Sequence, residues 1–452
     1  MLGPVDSGDV LDLDITDVAH GGVFVARLPA GDADQGRGRV VFVPDAIPGE
    51  RIRARLTDVG KASFWRAEAL EVLDASPHRQ AHVWRQADID VPPEDRPGGA
   101  DFGHIALEHQ RTLKLEVLQD ALTRIGRVDV PATMEGALPV MDAEGAVAAE
   151  ESPDATRWRT RVSLHVDAEG RIGPYAARSH RVVPVADQPL ATAAIEEAAR
   201  HISGTRGRID FVQPADGRVR TVARPDSDRP VRGRRRPTAH PADARAAREV
   251  VIERVGDREF RVDAAGFWQV HRLSASSLTR AVTDALVGTV DGDAAHLDLY
   301  GGVGMLAAAV GDAGGPGTRV TSVESDARAT EHAGENLAEW VGARAETARV
   351  DRYLQRLIAD ASAAERSRLA RGVVVLDPPR AGAGADVVEA IAELDPARIV
   401  YVACDPVALA RDLATFADRG YVVDGAVRAI DLFPHSHHVE AVAALTPSRL
   451  AR

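Results

Sequence analysis

Residues 295–311, AHLDLYGGVGMLAAAVG, decide the fold of this chain. A short apolar run ends in a glycine-rich turn and continues into an Ala-rich apolar stretch, which reads as strand, tight turn and helix. The next segment, RVTSVESDARATEHAGENLAEW (319–340), repeats strand and helix, and GVVVLDPPR (372–380) and RIVYVACDP (398–406) add two further strands. Runs of Val, Ile and Leu without alternation indicate strands covered on both faces. Residues 265–452 are therefore expected to form an α/β domain, a Rossmann-like doubly wound parallel sheet. Its ligand would lie beyond the carboxyl ends of the strands, at the switch point.

Upstream the period changes. Residues 1–75 read as short strands (DVLDLDITDVA, GGVFVARLP, GRVVFVPDAI, GERIRARLTDV and ASFWRAEALEVL) whose period-two alternation and Gly, Pro and Asp punctuation predict a small antiparallel β-barrel. Residues 76–264 are expected to form a central α+β domain. Within it, IALEHQRTLKLEVLQDALTRIG (105–126) places Leu107, Leu113, Leu115, Leu118 and Leu122 near helical spacing, predicting an amphipathic helix that packs on the C-terminal domain. An Ala-rich helix is expected near residues 190–203, and residues 130–155, which lack a clear period, read as linker or loop.

The formal net charge of −13 argues against a protein that coats nucleic acid nonspecifically, because neutralising backbone phosphates requires cations. Locally the balance reverses: residues 206–236 hold ten Arg against Asp210, Asp216, Asp226 and Asp228 and end in RGRRR (232–236). Such a run can hold a phosphate backbone or stand as a solvated loop. No apolar run reaches the roughly 18 to 20 residues that cross a bilayer, and the acidic start MLGPVDSGDVLDLD lacks the form of a secretion signal. The expected location is cytoplasmic.

Chemistry concentrates at the ends of the C-terminal strands. Asp298, Tyr300, Gly301, Gly302 and Gly304 end the first strand, where glycines let the backbone turn sharply and approach a ligand. Glu324 ends the second strand about 20 residues later, where an acid can accept hydrogen bonds from a ribose diol. The turn is D-L-Y-G-G-V-G rather than G-x-G-x-x-G, and DPPR (377–380) follows a later strand; both favour S-adenosylmethionine over a dinucleotide, with a nucleotide-dependent oxidoreductase as the rival. Cys404 is the only cysteine, so it forms neither an internal disulfide nor a multi-cysteine metal site, and it is either a nucleophile or buried filler. Its neighbours favour the nucleophile. His435, His437 and His438 lack an accompanying helix or carboxylate triad, so they read as solvent-facing or RNA-facing imidazoles, and no metal site is expected.

In order, FWQVH (267–271), DLYGGVG (298–304), DPPR (377–380), ACDPVALARD (403–412) and FPHSHHVE (433–440) resemble the motifs of the uridine-C5 RNA methyltransferase family, which makes 5-methyluridine in tRNA and 23S rRNA. GGVFVAR (21–27), VVFVPDAIPGE (40–50) and SPHR (76–79) are similar to the TRAM module, an OB-like RNA-binding barrel. WRTRVSLHV (158–166), IGPYAARSH (172–180) and DQPL (187–190) extend the resemblance over nearly the whole chain. It implies a class I S-adenosylmethionine-dependent enzyme acting on 23S rRNA or tRNA, gripped by the barrel and central domain of a monomer. C5 of uracil is too weak a nucleophile to take a methyl group from a sulfonium, so a thiolate adds first at C6. The resemblance gives that role to Cys404 and the removal of the C5 proton to Glu440. Gln269, Tyr300, Gly301, Glu324 and Asp377 resemble the family's S-adenosylmethionine contacts, with Asp351 as a further candidate; Asp377 also stands where it could orient the uracil.

The chain departs from the family at identifiable places. Many members hold an iron–sulfur cluster through four cysteines, two flanking Gly-Gly and one before Pro-Leu. Here those strings are PGGA (97–100) and DQPL (187–190), so no cluster is expected. His271 stands where Asn is commoner and Met305 where a polar contact often follows the turn. These changes support the alternative, a noncatalytic RNA-binding protein that retains the methyltransferase fold.

Overall fold

A computed structural model describes residues 6–28, 38–61, 63–142, 144–177, 179–204, 206–225 and 241–450. Strands β1 (Val10–Ala19), β2 (Val23–Arg27), β3 (Val40–Val43), β4 (Arg51–Asp58) and β5 (Phe64–Asp74) close into a barrel in the order β1-β2-β3-β5-β4, which is not wholly antiparallel as expected, because β3 and β5 pair in parallel where the barrel closes. Alternate residues of β4, namely Ile52, Ala54 and Leu56, point inward and meet Phe24, Val41 and Val43. This is the period-two pattern of a strand with one wet face.

Helix α1 (Leu107–Ala121) continues into a π-helical turn at Leu122–Gly126. Leu113 joins the barrel core, whereas Leu118, Ala121 and Leu122 enter the core of the C-terminal sheet, so one helix is packed into both. Residues 130–155 are not a linker. Ala132–Gly136 form β6, and β7 (Val140–Met141) and β8 (Val147–Ala149) make a short hairpin. Sequence reading missed β6 because it is five residues long and its alternation is slight: Ala132 and Met134 pack against the core but neither is fully buried, and pairing with β21 makes it a strand.

The middle of the chain supplies β9 (Arg161–Val166), β10 (Ile172–Gly173), α2 (Ala193–Arg200), β11 (Gly207–Val212) and β12 (Arg220–Pro225), with sheet order β10-β9-β11-β12. Ile195 of α2 packs on Phe211 and Leu164. The second half of the Arg-rich run, residues 226–236, lies outside the described residues. In the described half, Arg208 and Arg224 both pair with Asp210, and Arg220 pairs with Asp216 and Glu249. Where the family places cluster cysteines, Ala100 and Leu190 are buried against Trp84, Ala87 and Trp158, so two indoles fill that region. Helix α3 (Pro241–Ala247) and the hairpin β13 (Val250–Val255) and β14 (Arg258–Asp263) lead into the last part of the chain.

That part runs α4 (Ser274–Leu286), β15 (Ala295–Leu299), α5 (Met305–Gly314), β16 (Arg319–Glu324), α6 (Ala327–Asn336), β17 (Arg344–Thr347), α7 (Val350–Asp360), α8 (Ala363–Ala370), β18 (Val373–Leu376), α9 (Ala385–Glu393), β19 (Arg398–Ala403), α10 (Pro406–Asp418), β20 (Tyr421–Val423), β21 (Val427–Asp431) and β22 (Glu440–Pro447). Among the described residues it forms a nine-stranded sheet in the order β17-β16-β15-β18-β19-β22-β21-β6, with β20 also on β22. The sheet is not wholly parallel, as the sequence had suggested. From β17 to β19 every pairing is parallel, but β22 runs antiparallel to both β19 and β21, and β6 joins the edge parallel to β21. Residues 432–439, which join β21 to β22, are too few for the crossover of roughly a dozen residues that a parallel return needs. One consequence governs the site: a reversed strand begins where its parallel neighbour ends. Among the described residues no helix is long and apolar enough to cross a membrane.

Candidate active site

The sheet's carboxyl edge is built from five strand ends. After β15, Tyr300 takes a left-handed φ of 62°, and Gly302 and Gly304 follow at φ 54° and 88°, so the chain turns at once into α5. Gly301 has no room for a side chain: a Cβ there would stand 2.0 Å from Ser322 Oγ and 2.4 Å from Asp298 Oδ2. Asp298 is buried and accepts a hydrogen bond from Ser322 Oγ at 2.9 Å, while its Oδ1 is buried and unpartnered. Burial raises its carboxyl to about 7. Glu324, at the end of β16, accepts from Gly302 N at 3.2 Å and Asp326 N at 2.8 Å, which ties the two turns together.

Asp377 follows β18, and its backbone N donates to Leu299 O at 3.3 Å across the sheet. Burial first, and the charge of Asp298 second, push its carboxyl up to about 7. Cys404 follows β19 and Glu440 opens β22. The register pairs Ala403 with Ala441, so continuing the antiparallel ladder by one residue sets Cys404 opposite Glu440. Burial is the main reason the Cys404 thiol is pushed up to about 12; Glu440 and Asp377 add to it and Arg380 opposes it. Glu440 is raised well above the carboxylate range by burial, then by Asp377, again against Arg380. Burial disfavours the charged forms of Asp377, Cys404 and Glu440, and a cation beside them would favour those forms.

The loop that delivers Glu440 is fixed from α1. Gln110 Oε1 accepts from His435 N at 2.7 Å, and its Nε2 donates to His435 Nδ1 at 3.0 Å. The other ring nitrogen of His435 donates to Asp154 O at 2.8 Å. His435 is therefore buried structure rather than a solvent-facing or RNA-facing imidazole. Its neighbours are also engaged: His437 Nδ1 lies 2.7 Å from Asp101 Oδ2, and His438 Nε2 lies 3.2 Å from an Arg380 nitrogen. Among the described residues no group of three or more His, Cys, Asp or Glu is placed to hold a metal ion.

A cavity of about 1010 Å³ opens over this edge, and Gln269, Tyr300, Glu324, Asp377, Cys404 and Glu440 all line it. The other two candidates line hollows that adjoin it. Gly301 lines a hollow of about 50 Å³ beneath, with Asp298, Met305 and Asp377. Asp351 faces a separate hollow of about 430 Å³ that it shares with Tyr300, and its carboxylate is engaged by Arg349 at 3.0 Å. His271 lies outside the cavity: it is buried, stacks on Trp158 at 5.3 Å, and its Nδ1 accepts from Leu273 N at 3.0 Å.

Sequence reasoning did not single out Phe267, Arg159 or Arg380, which also line the cavity. Phe267 is 74% exposed, an unusual state for a phenyl ring beside a cavity. Arg159 is bridged to His271 through the backbone, which brings WRTR of the central sheet against FWQVH. The signal was present in both motifs and in DPPR, but exposure and strand pairing cannot be read from spacing.

Comparison with known proteins gives concordant matches. Residues 349–447, which include Asp377, Cys404 and Glu440, match the tRNA (uracil-5-)-methyltransferase family model, and residues 4–70 match the TRAM domain. An uncharacterized RNA methyltransferase of Streptomyces avermitilis is 38% identical over 98% of this chain and 99% of its own length. Another, from Streptomyces coelicolor, is 38% identical over 98% and 93%. Among solved structures, the Pyrococcus abyssi tRNA (uracil-54, C5)-methyltransferase, in complex with S-adenosyl-L-homocysteine, superposes with a TM-score of 0.63 at 21% identity. It covers 96% of this chain and 100% of that one, a likeness of fold.

Proposed function

The chain belongs to the uridine-C5 RNA methyltransferase family, and we propose that it methylates C5 of a uridine in folded RNA, 23S rRNA or tRNA, through a covalent bond between Cys404 and C6 of the base. The observation that carries this reading is the strand reversal that sets Cys404 opposite Glu440 in one cavity with Asp377.

S-adenosylmethionine supplies an electrophilic methyl group when bound. The cavity suits such a ligand: Asp298 Oδ1 is an orphaned buried acceptor beneath the glycine turn, Glu324 is oriented at the rim for a ribose diol, and a sulfonium cation beside Asp377 and Glu440 would favour their charged forms. Gln269, Tyr300, Glu324 and Asp377 would hold it, with Gly301 keeping the turn close; Asp351 is placed to contribute only through the hollow beside Tyr300.

Cys404 gives its thiol proton to solvent, Sγ bonds to C6, and the C5–C6 π electrons move to C5. C5 takes the methyl group in line as the methyl–sulfur bond breaks, and the electron pair stays on the departing sulfur, which becomes a neutral thioether. The Glu440 carboxylate then removes the C5 proton, the C5–C6 double bond re-forms, and the Cys404 thiolate leaves. Phe267, exposed at the cavity, offers a face on which an unstacked base can lie, and Arg159 and Arg380 offer donors for its polar edge or a phosphate. The uridine must leave its stack to reach the thiol. The noncatalytic alternative loses one of its supports, because His271 is a packing residue outside the cavity.

The test is transfer of labelled methyl from S-adenosylmethionine to RNA that lacks the modification, followed by digestion and mass analysis. Labelled 5-methyluridine with the intact protein and none with Cys404→Ala is the expected result; undiminished transfer by Cys404→Ala would reject the mechanism.

A further inference from the structure

The turn between β1 and β2 leaves the barrel and reaches the site. His20 Nε2 lies 3.2 Å from Asp405 Oδ2, while Asp405 Oδ1 accepts from Ala408 N at 2.8 Å and so caps α10. Asp405 is the residue after Cys404. Two positions along, the same turn meets the loop before β22: a Cβ on Gly22 would stand 2.8 Å from His437 Nδ1, and Gly21 and Gly22 take φ of +88° and +70°. His437 lies three residues before Glu440. A single barrel turn therefore rests against the segments that carry both members of the proposed pair.

Cys404 lies just beyond the β19 ladder, so its placement depends on what holds the residue after it. One Asp405 oxygen is fixed by the helix and the other by the barrel. The charge of Asp405 is among those that disfavour the Cys404 thiolate, and a protonated imidazole beside it offsets that charge. Hydrogen bonding to Asp405 in turn keeps His20 protonated to higher pH than an ordinary histidine. Resting on the reading of Cys404 as nucleophile, we infer that His20 is a positioning residue for methyl transfer, through which the barrel holds Asp405 and sets the thiol beside it. His20 itself is half-exposed and touches neither reacting atom. A pair this exposed adds little to stability, so its effect falls on placement and charge at the neighbouring thiol.

The chain has one cysteine, so alkylation by iodoacetamide, followed by intact mass, reports Cys404 alone. Full-length protein, His20→Ala and His20→Gln are compared; the Gln variant keeps a hydrogen-bond donor without the charge. For His20→Ala, alkylation at pH 8 is expected to slow about threefold. Single-turnover methyl transfer at saturating RNA and S-adenosylmethionine should fall about tenfold or more, with RNA affinity within about twofold of the parent. His20→Gln should recover part of the transfer rate. Unchanged single-turnover transfer in His20→Ala overturns the inference, as does weaker RNA binding with an unchanged rate at saturation, which would make His20 an RNA contact. Cys404→Ala, assayed in parallel, separates the two ideas: transfer by that variant rejects the nucleophile whatever His20 does.

Discussion

Lys114 Nζ lies 2.6 Å from Asp431 Oδ1, and neither side chain exposes any surface. Lys114 also donates to Phe433 O at 2.9 Å, and Arg111 reaches Asp431 Oδ2 at 3.4 Å. Together with Gln110 and His435, these contacts fasten α1 to the loop between β21 and Glu440. One of only two lysines in the chain is thus spent inside it.

Removing that cation should be costly. Lys114→Met leaves Asp431 buried beside a longer contact to Arg111, and a loss of about 3 to 5 kcal/mol is expected. The double variant Lys114→Met/Asp431→Leu should regain much of it. Urea midpoints for the two variants check this; equal destabilisation in both would contradict the pairing.

Gly301→Ala should damage the turn, because its Cβ would meet Ser322 Oγ and Asp298 Oδ2 well inside contact distance. The expected cost is about 1 to 3 kcal/mol, with loss of S-adenosylmethionine binding measured by calorimetry. Gly317→Ala, where a Cβ meets nothing within 4 Å, is the matched control and should bind normally.

Much of this was legible in the sequence. The apolar runs before Tyr300, Asp377 and Cys404 announced buried strands, and alternation in Arg51–Asp58 announced a barrel with one wet face. The remainder depends on contacts between distant segments. Glu440 meets Cys404 because β22 reverses, and no local pattern encodes that reversal. The β6 edge strand offers only Ala132 and Met134 as an apolar signal, and His435 is held inside by Gln110, 325 residues away, which accepts from and donates to it. Asp351 entered only as a further candidate through the resemblance, and Arg349 engages it in a neighbouring hollow.

Asp377 should make stability depend on pH. Its folded-state carboxyl titrates at about 7 against an ordinary value of 3.8. Between those values the folded chain keeps a proton that the unfolded chain releases, so stability falls as pH rises through the window and stays lower above it. Asp377→Asn removes that contribution and should be more stable than the parent at pH 8 by about 2 to 4 kcal/mol, while transferring no methyl group. Melting curves from pH 4 to 8 test this; an unchanged slope would contradict it.

The thiol of Cys404, pushed up to about 12, should be sluggish in the unliganded protein. Its alkylation rate should climb about tenfold per pH unit from pH 7 to 10 without a plateau, since the thiolate remains the minor form throughout. Glu440→Gln removes a nearby acidic group and should speed the reaction at each pH. A plateau near the ordinary thiol range of about 8.5 would show that burial does not hold the proton.

The Cys404 to C6 bond is read out by peptide mass mapping of Glu440→Gln incubated with S-adenosylmethionine and RNA. Without the base, methylation proceeds and release stalls, so a methylated uridine nucleotide is expected on the peptide carrying Cys404, stable on denaturing gels. Rapid release of 5-methyluridine RNA with no adduct on Cys404, together with activity in Cys404→Ala, would contradict it.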